Sequence, residues 1–187
     1  MYNLVQTVSL TVPVSEQQDH ILGPRNAPVT LLEYGDFGCP HCAEAHLVVS
    51  ELLGAIGKTA RFVFRHFPLT QVHPTAQRAA EAAEAAGAQD KFWEMHDLLF
   101  ENQEAQEDYD LVTYAQTLGV NMARFRAELL QGKYTPRVRE EFLGGVRSGV
   151  NGTPTFFING HRHDDLWDVA TLLAAIEAEV QSSGRRR

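Results

Sequence analysis

Two cysteines and two histidines fall within eight positions: Cys39, His41, Cys42 and His46, in the stretch GDFGCPHCAEAH. No other cysteine occurs in the 187 residues. Two chemistries use such residues. Thiolates and imidazoles are zinc ligands, and a structural zinc site closes four of them into a tetrahedron. A C-x-x-C dithiol instead opens and closes as a disulfide, with the thiolate as the attacking species. Zinc is the poorer fit, because its sites commonly use two spaced pairs and no second cysteine pair exists. His46 lies one helical turn past Cys42 and can join in principle, whereas His66, His73 and His96 are scattered. His161 and His163 alternate on an expected strand, so a composite site is conceivable. Neither Pro40 nor His41 is explained by a metal. A purely structural disulfide is also weakly motivated, since two intervening residues close almost no loop.

The elements that position these residues can be read from periodicity. VTLLEY (29–34) predicts a buried strand, which GDFG breaks. Helical periodicity follows, with Cys42, Ala45, Val49 and Leu52 at i, i+3, i+7 and i+10, and Pro40 suits the first helical position. Gly54 or Gly57 ends that helix, and ARFVFRHF (60–67) predicts a second strand stopped by Pro68. From about residue 73 to 149 the pattern is helical, beginning with the alanine-rich TAQRAAEAAEAAGA. TPTFFI restores strand character, Asn159-Gly160 is a strong hairpin-turn signal before HRH, and LWDVATLLAAIEAEV closes the chain as a helix. Near the N-terminus, VQTVSLTV predicts an edge strand and HILGPRNAP a turn-rich lead-in. Strand, crossover helix and parallel strand imply a right-handed βαβ unit, which the hairpin and last helix extend. The expected class is α/β, a thioredoxin fold with an inserted all-helical subdomain. Residues 1–68 and 150–187 form the first part and 69–149 the insertion.

Placement then sorts the thiols. Cys39 falls at the strand-to-helix junction, where free backbone N–H groups and the positive end of the helix dipole favour an anion. Cys42 lies deeper and is expected to stay protonated. Cys39 is therefore the candidate nucleophile and Cys42 the resolving thiol. The most acidic C-x-x-C thiols sit about 5 units below a free cysteine, roughly 7 kcal/mol, and a helix end supplies at most about 2. A second source is needed, and His41 is the nearest donor or cation in sequence. Its replacement is expected to raise the Cys39 pKa and lower the reduction potential.

EYGDFGCPHCAEAH, FVFRHFPL and GVNGTPTFFINGHRH together resemble the DsbA-like thiol-disulfide oxidoreductases of the thioredoxin superfamily, over about residues 20–180. The resemblance implies a cis peptide bond at Thr153-Pro154 beside the reactive pair, with the Thr153 backbone pairing with a substrate chain. It also places Glu33 at the family's acidic position, six residues before Cys39. A buried carboxylate there has a raised pKa and relays a proton to and from Cys42; a half-exposed one does not. Phe37, beside Cys39, is a candidate substrate contact. The implied activity is disulfide exchange with protein substrates, without a bound cofactor or metal. A glutathione-linked transferase or isomerase on the related fold is the alternative enzyme, although such relatives generally lack paired cysteines. A zinc-binding or non-catalytic interaction module is the remaining reading, and has no need of Pro40-His41 between two solitary cysteines.

Bulk properties narrow the partners. A net charge of −8 argues against nucleic acid, and Arg185 to Arg187 read as a solvated end. No run approaches the roughly 18 apolar residues of a membrane helix. The N-terminus lacks a basic n-region, a long apolar core and a cleavage site. A cytoplasmic location is therefore expected if Met1 is the natural start, and a periplasmic or exported one otherwise. The expected partners are thiol- or disulfide-bearing proteins and a redox partner that reoxidises or reduces the chain, which acts as a monomer. A potential near −120 mV in a compartment near −280 mV would leave such a pair almost wholly reduced, at about 30 mV per decade. Direction of electron flow thus stays open between oxidase, reductase and isomerase.

Overall fold

The structure, a computed structural model, describes residues 8–184. Along the chain run β1 (His20–Leu22), β2 (Val29–Gly35), α1 (Pro40–Ile56), β3 (Ala60–His66), α2 (Ala76–Gly87), α3 (Phe92–Glu101), α4 (Asp108–Thr117), α5 (Met122–Leu130), α6 (Thr135–Arg147), β4 (Thr155–Ile158), β5 (His161–His163) and α7 (Val169–Gly184). The five strands make one mixed α/β sheet in the order β1-β3-β2-β4-β5. β2 and β3 pair in parallel, from Val29 opposite Ala60 to Gly35 opposite His66, and α1 crosses between them. The other pairings are antiparallel.

The two central strands are buried on both faces, which is why they read as nearly continuous apolar runs. Their side chains alternate between two layers. Leu31, Phe62, Phe64, Phe156 and Ile158 meet Cys42, Ala45, Val49, Leu52 and Ile56 of α1 and Leu172 and Ile176 of α7. Leu32, Tyr34, Val63 and Phe157 face the other side, where Phe142 of α6 and Leu10, Val14 and Ile21 cover them. The face of α1 read from periodicity is thus the buried one, extended by one turn. Asn159 and Gly160 turn the β4–β5 hairpin with φ of 48° and 83°, the positive pair that matches strand twist in a two-residue turn.

Helices α2 to α6 lie between β3 and β4 in sequence. They share one hydrophobic cluster with α1 and the sheet, through Met95, Leu99, Phe100, Leu111 and Phe125. The alanines of α2 are buried nearly all round, and their small size lets α3 and α5 approach closely.

The N-terminal expectation needs correction. Residues 5–7 of VQTVSLTV lie outside the described residues, and the rest of that segment forms an isolated bridge, Ser9 to His161, in place of a strand. The edge strand on β3 is instead His20–Leu22, inside the segment expected to be a turn-rich lead-in. Three residues are too few to show alternation, and pairing with β3 decides their conformation.

Candidate active site

β2 ends at Gly35, a position that must be glycine because a Cβ there would lie 2.4 Å from the Phe64 ring. The chain then turns through Asp36, Phe37 and Gly38 into the helix. Cys39 is the N-cap of α1, with extended backbone (φ −84°, ψ 120°), and Pro40 opens the helix. The Cys39 carbonyl accepts from the Cys42 and Ala43 amides at 3.0 and 3.2 Å. Its sulfur therefore lies at the amide-rich end of α1. Thr153 meets it from the loop before β4, and the Thr153-Pro154 peptide bond is cis. The Cys39 thiol donates to the Thr153 carbonyl at 3.4 Å, which suits the protonated state. The Thr153 hydroxyl is buried without a hydrogen-bond partner, and Thr153 is among the groups that favour the thiolate.

The two thiols are free and both buried, yet their acidities diverge. A hydrogen bond from the Cys42 thiol brings Cys39 down from 9.0 to about 5, with help from Thr153 and the backbone N–H groups of Cys42 and His41, against the opposing effect of burial. Burial pushes Cys42 strongly upward, and its bond to Cys39 and the charges of Glu33 and Cys39 add to this. The Asp36 amide reaches the Cys42 sulfur at 3.5 Å. Glu33 is only 2% exposed, which excludes the half-exposed alternative. Burial first, then the Cys39 charge, raises its carboxyl to about 8, and Oε1 has no hydrogen-bond partner.

Two sequence expectations change on this geometry. The His41 ring is exposed and turns to Glu44, with Nδ1 3.4 Å from Oε2. His41 supports the thiolate through its backbone N–H, so the ring is not the missing donor. The Phe37 ring is 1% exposed and packs on Phe64 and Phe100, with centroids 5.4 and 4.9 Å away. It anchors the loop in the core rather than offering a surface to substrates. Among the described residues, neither cysteine joins a third residue in a group of metal-ligating atoms.

Several residues that hold the loop escaped the sequence reading. Buried Asp36 accepts from the Gly38 amide at 2.7 Å and the Leu69 amide at 2.8 Å, and pairs with His73 Nδ1 at 2.8 Å. Gly38 is required here, since a Cβ would lie 2.6 Å from that of His73. Gln103 donates to the carbonyls of Phe37 and Cys39, both at 2.8 Å, and Gln106 to that of Phe37 at 3.0 Å. Asp36 and Gly38 carried a local signal, because aspartate two residues before an amide commonly makes such a turn. The glutamines, some 65 residues away in a loop after α3, carried none.

Comparison with known proteins bears on the family and the fold. Sequence relatives include the Na+/H+ antiporter NhaA 1 of Salinispora arenicola, 50% identical over 169 residues that make 90% of this chain and 26% of that protein. The Na+/H+ antiporter NhaA of Herminiimonas arsenicoxydans is 40% identical over 90% of this chain and 27% of its own. The chain thus spans about a quarter of the length of the curated relatives it matches. Among solved structures, oxidised BdbD from Bacillus subtilis superposes with a TM-score of 0.81 at 22% identity, covering 94% of this chain and 98% of that one. Wolbachia pipientis alpha-DsbA1 gives 0.78 at 19% identity, over 95% and 98%. MdbA, a thiol-disulfide oxidoreductase from Corynebacterium diphtheriae, gives 0.67 at 20% identity, over 92% of each. The fold is that of the DsbA-like proteins. The sequence model of the family described as Thioredoxin matches residues 15–178, more than four-fifths of the chain, and the chain belongs to that family.

Proposed function

We propose that the protein exchanges disulfides with protein substrates through Cys39 and Cys42. The observation that carries this is the divergence of two adjacent thiols, one brought down to about 5 at the N-cap of α1 and the other held protonated beneath it. In the oxidising direction a substrate thiolate attacks the Cys39 sulfur of the Cys39–Cys42 disulfide. The S–S bond breaks and its electron pair leaves on Cys42, which takes up a proton. A second substrate thiolate then attacks the substrate sulfur of the mixed disulfide and expels Cys39 as a thiolate. The substrate loses two electrons, and the enzyme dithiol holds them until a redox partner removes them. In the reducing direction the Cys39 thiolate attacks a substrate disulfide, and Cys42 resolves the mixed disulfide after losing its proton.

Glu33 is the proposed proton carrier for Cys42: a buried carboxyl near pKa 8 holds or releases a proton close to neutrality. Thr153 is the proposed backbone partner for a substrate chain, beside Pro154. No bound cofactor enters any step. The relatives named as Na+/H+ antiporters suggest the partner: a Na+/H+ antiporter whose thiols this module oxidises or reduces. None of the described helices is long and apolar enough to cross a membrane.

The test is equilibration in glutathione buffers, with thiols counted by mass after alkylation. A reversible two-electron transition that disappears in Cys39→Ser supports the reading. Glutathione conjugation that survives loss of Cys42 would move it to a transferase. Mixed disulfides trapped on Cys42→Ser identify the substrates, and the measured potential fixes the direction.

A further inference from the structure

We propose that His46, His96 and Asp97 form a zinc site that fastens the active-site helix to the helices between β3 and β4. This site is separate from the dithiol and stands whether or not the proposed exchange activity does. His46 lies on α1, one turn beyond Cys42, and His96 and Asp97 are neighbours on α3. Sequence left these histidines fifty residues apart with no shared task; the fold puts one donor atom from each of the three residues within 4.8 Å of the others. His96 Nδ1 is 2.9 Å from Asp97 Oδ1, and His46 Nε2 is 4.0 Å from the same oxygen. Zinc bonds of about 2.0–2.2 Å place tetrahedral ligands about 3.3 Å apart, so closure needs only small side-chain movements. Asp97 is 52% exposed and free to make them.

The two imidazoles are already held. His46 stacks on Phe100, with centroids 5.3 Å apart and planes at 22°. His96 is boxed edge-on by Phe37, Phe64 and Phe100, at 79°, 82° and 84°. Rotamers fixed by packing lower the ordering cost of binding an ion. With His96 Nδ1 on the ion, the remaining proton lies on Nε2, which is buried and has no other hydrogen-bond partner. Two imidazole nitrogens and one carboxylate oxygen suit zinc and leave a fourth position for water on the exposed Asp97 side. The ion would brace the ring that packs on Phe37, and with it the loop that carries Cys39.

The test uses the oxidised protein, in which the disulfide removes both thiols as ligands. Calorimetric titration with Zn2+ is expected to show one ion per chain, and native mass spectrometry to confirm it. His46→Ala and Asp97→Asn should each weaken binding at least tenfold. Zinc at about 100 times its Kd should raise the Tm of the oxidised wild type by about 5–10 °C, a shift both variants lose. Asp97→Asn, at an exposed residue, should melt near the wild type without metal, which separates ligand loss from misfolding. No stoichiometric binding by the oxidised protein, or binding unchanged in both variants, overturns the site. Binding by the reduced protein alone would assign zinc to Cys39 and Cys42 and overturn it equally.

Discussion

The reduced protein should lose stability relative to the oxidised protein as pH falls from 7 to 5, by an amount that Cys39 sets. Folding takes this thiol from 9.0 to about 5. A depressed pKa adds stability above the unfolded value, and the gain is lost as pH falls through the folded one. At pH 7 the folded thiol is ionised and the unfolded one is not. Two pH units then separate pH 7 from the folded pKa, giving at most about 2.7 kcal/mol at 1.36 kcal/mol per unit. At pH 5 the gain falls to about 0.4 kcal/mol. These are upper figures, since Cys39 keeps slight contact with solvent, which screens part of the effect. The disulfide form has no thiolate, so the stability of the reduced form relative to the oxidised one should fall by about 2.3 kcal/mol. That corresponds to a relative Tm change of about 5–9 °C for a chain of this size. Glu84 and Glu141 titrate in both forms and their burial effects cancel in the difference, as does the burial effect on Glu33 but not the part of its shift that the Cys39 charge causes. Melts of both forms at the two pH values, with a titration of thiolate ultraviolet absorbance, make the measurement. A relative stability that does not change, or a thiolate that titrates near 9, refutes the reasoning. The same 2.7 kcal/mol, acting on the reduced form alone, raises the reduction potential by about 60 mV at pH 7.

Glu33→Gln should behave in the opposite sense. A carboxyl raised from 4.5 to about 8 destabilises the fold increasingly above pH 4.5, so between pH 5 and 8 the wild type should lose about 3.5 kcal/mol against the variant, measured by urea unfolding of the reduced forms. The variant should also resolve mixed disulfides more slowly; equal rates would remove Glu33 from proton transfer. His41→Ala keeps its backbone N–H, so the Cys39 pKa should stay within about 1 unit of its wild-type value, whereas a rise of several units would restore the ring as the main donor. Gln103 and Gln106 share the Phe37 carbonyl, so either alanine variant leaves that oxygen one partner. The double variant should cost about 1 kcal/mol more than the sum of the singles, and additive losses would show that the clamp does not bear on the loop.

What the sequence made legible was local or periodic. The buried face of α1 followed from its 3.6-residue spacing, and the β4–β5 turn from Asn159-Gly160. β1 was hidden because three residues show no period. The glutamine clamp was hidden because a polar contact across more than sixty residues leaves no pattern at either end. His41 illustrates a subtler limit. The energy argument rightly required a second source of stabilisation, but proximity in sequence chose the wrong group. The source is distributed over the Cys42 thiol, Thr153 and backbone amides, and only one of these groups lies far along the chain.

That distribution couples the steps of the proposed cycle. The Cys39 thiolate is itself one cause of the raised pKa of Glu33 and two of the causes for Cys42, through its charge and its hydrogen bond. When Cys39 enters a mixed disulfide, its charge is gone and the Cys42 thiol loses its charged acceptor. Both effects lower the cost of ionising Glu33 and then Cys42, at the moment when Cys42 must lose its proton to attack. Burial alone would keep Cys42 inert throughout. With the charge of Cys39 superimposed on it, the barrier to resolution is highest while the nucleophile is free and falls once it is engaged. A neutral residue at Cys39 should therefore lower the Glu33 pKa, and an NMR titration of that carboxyl in Cys39→Ser against the reduced wild type would show it; an unchanged midpoint would uncouple the two steps.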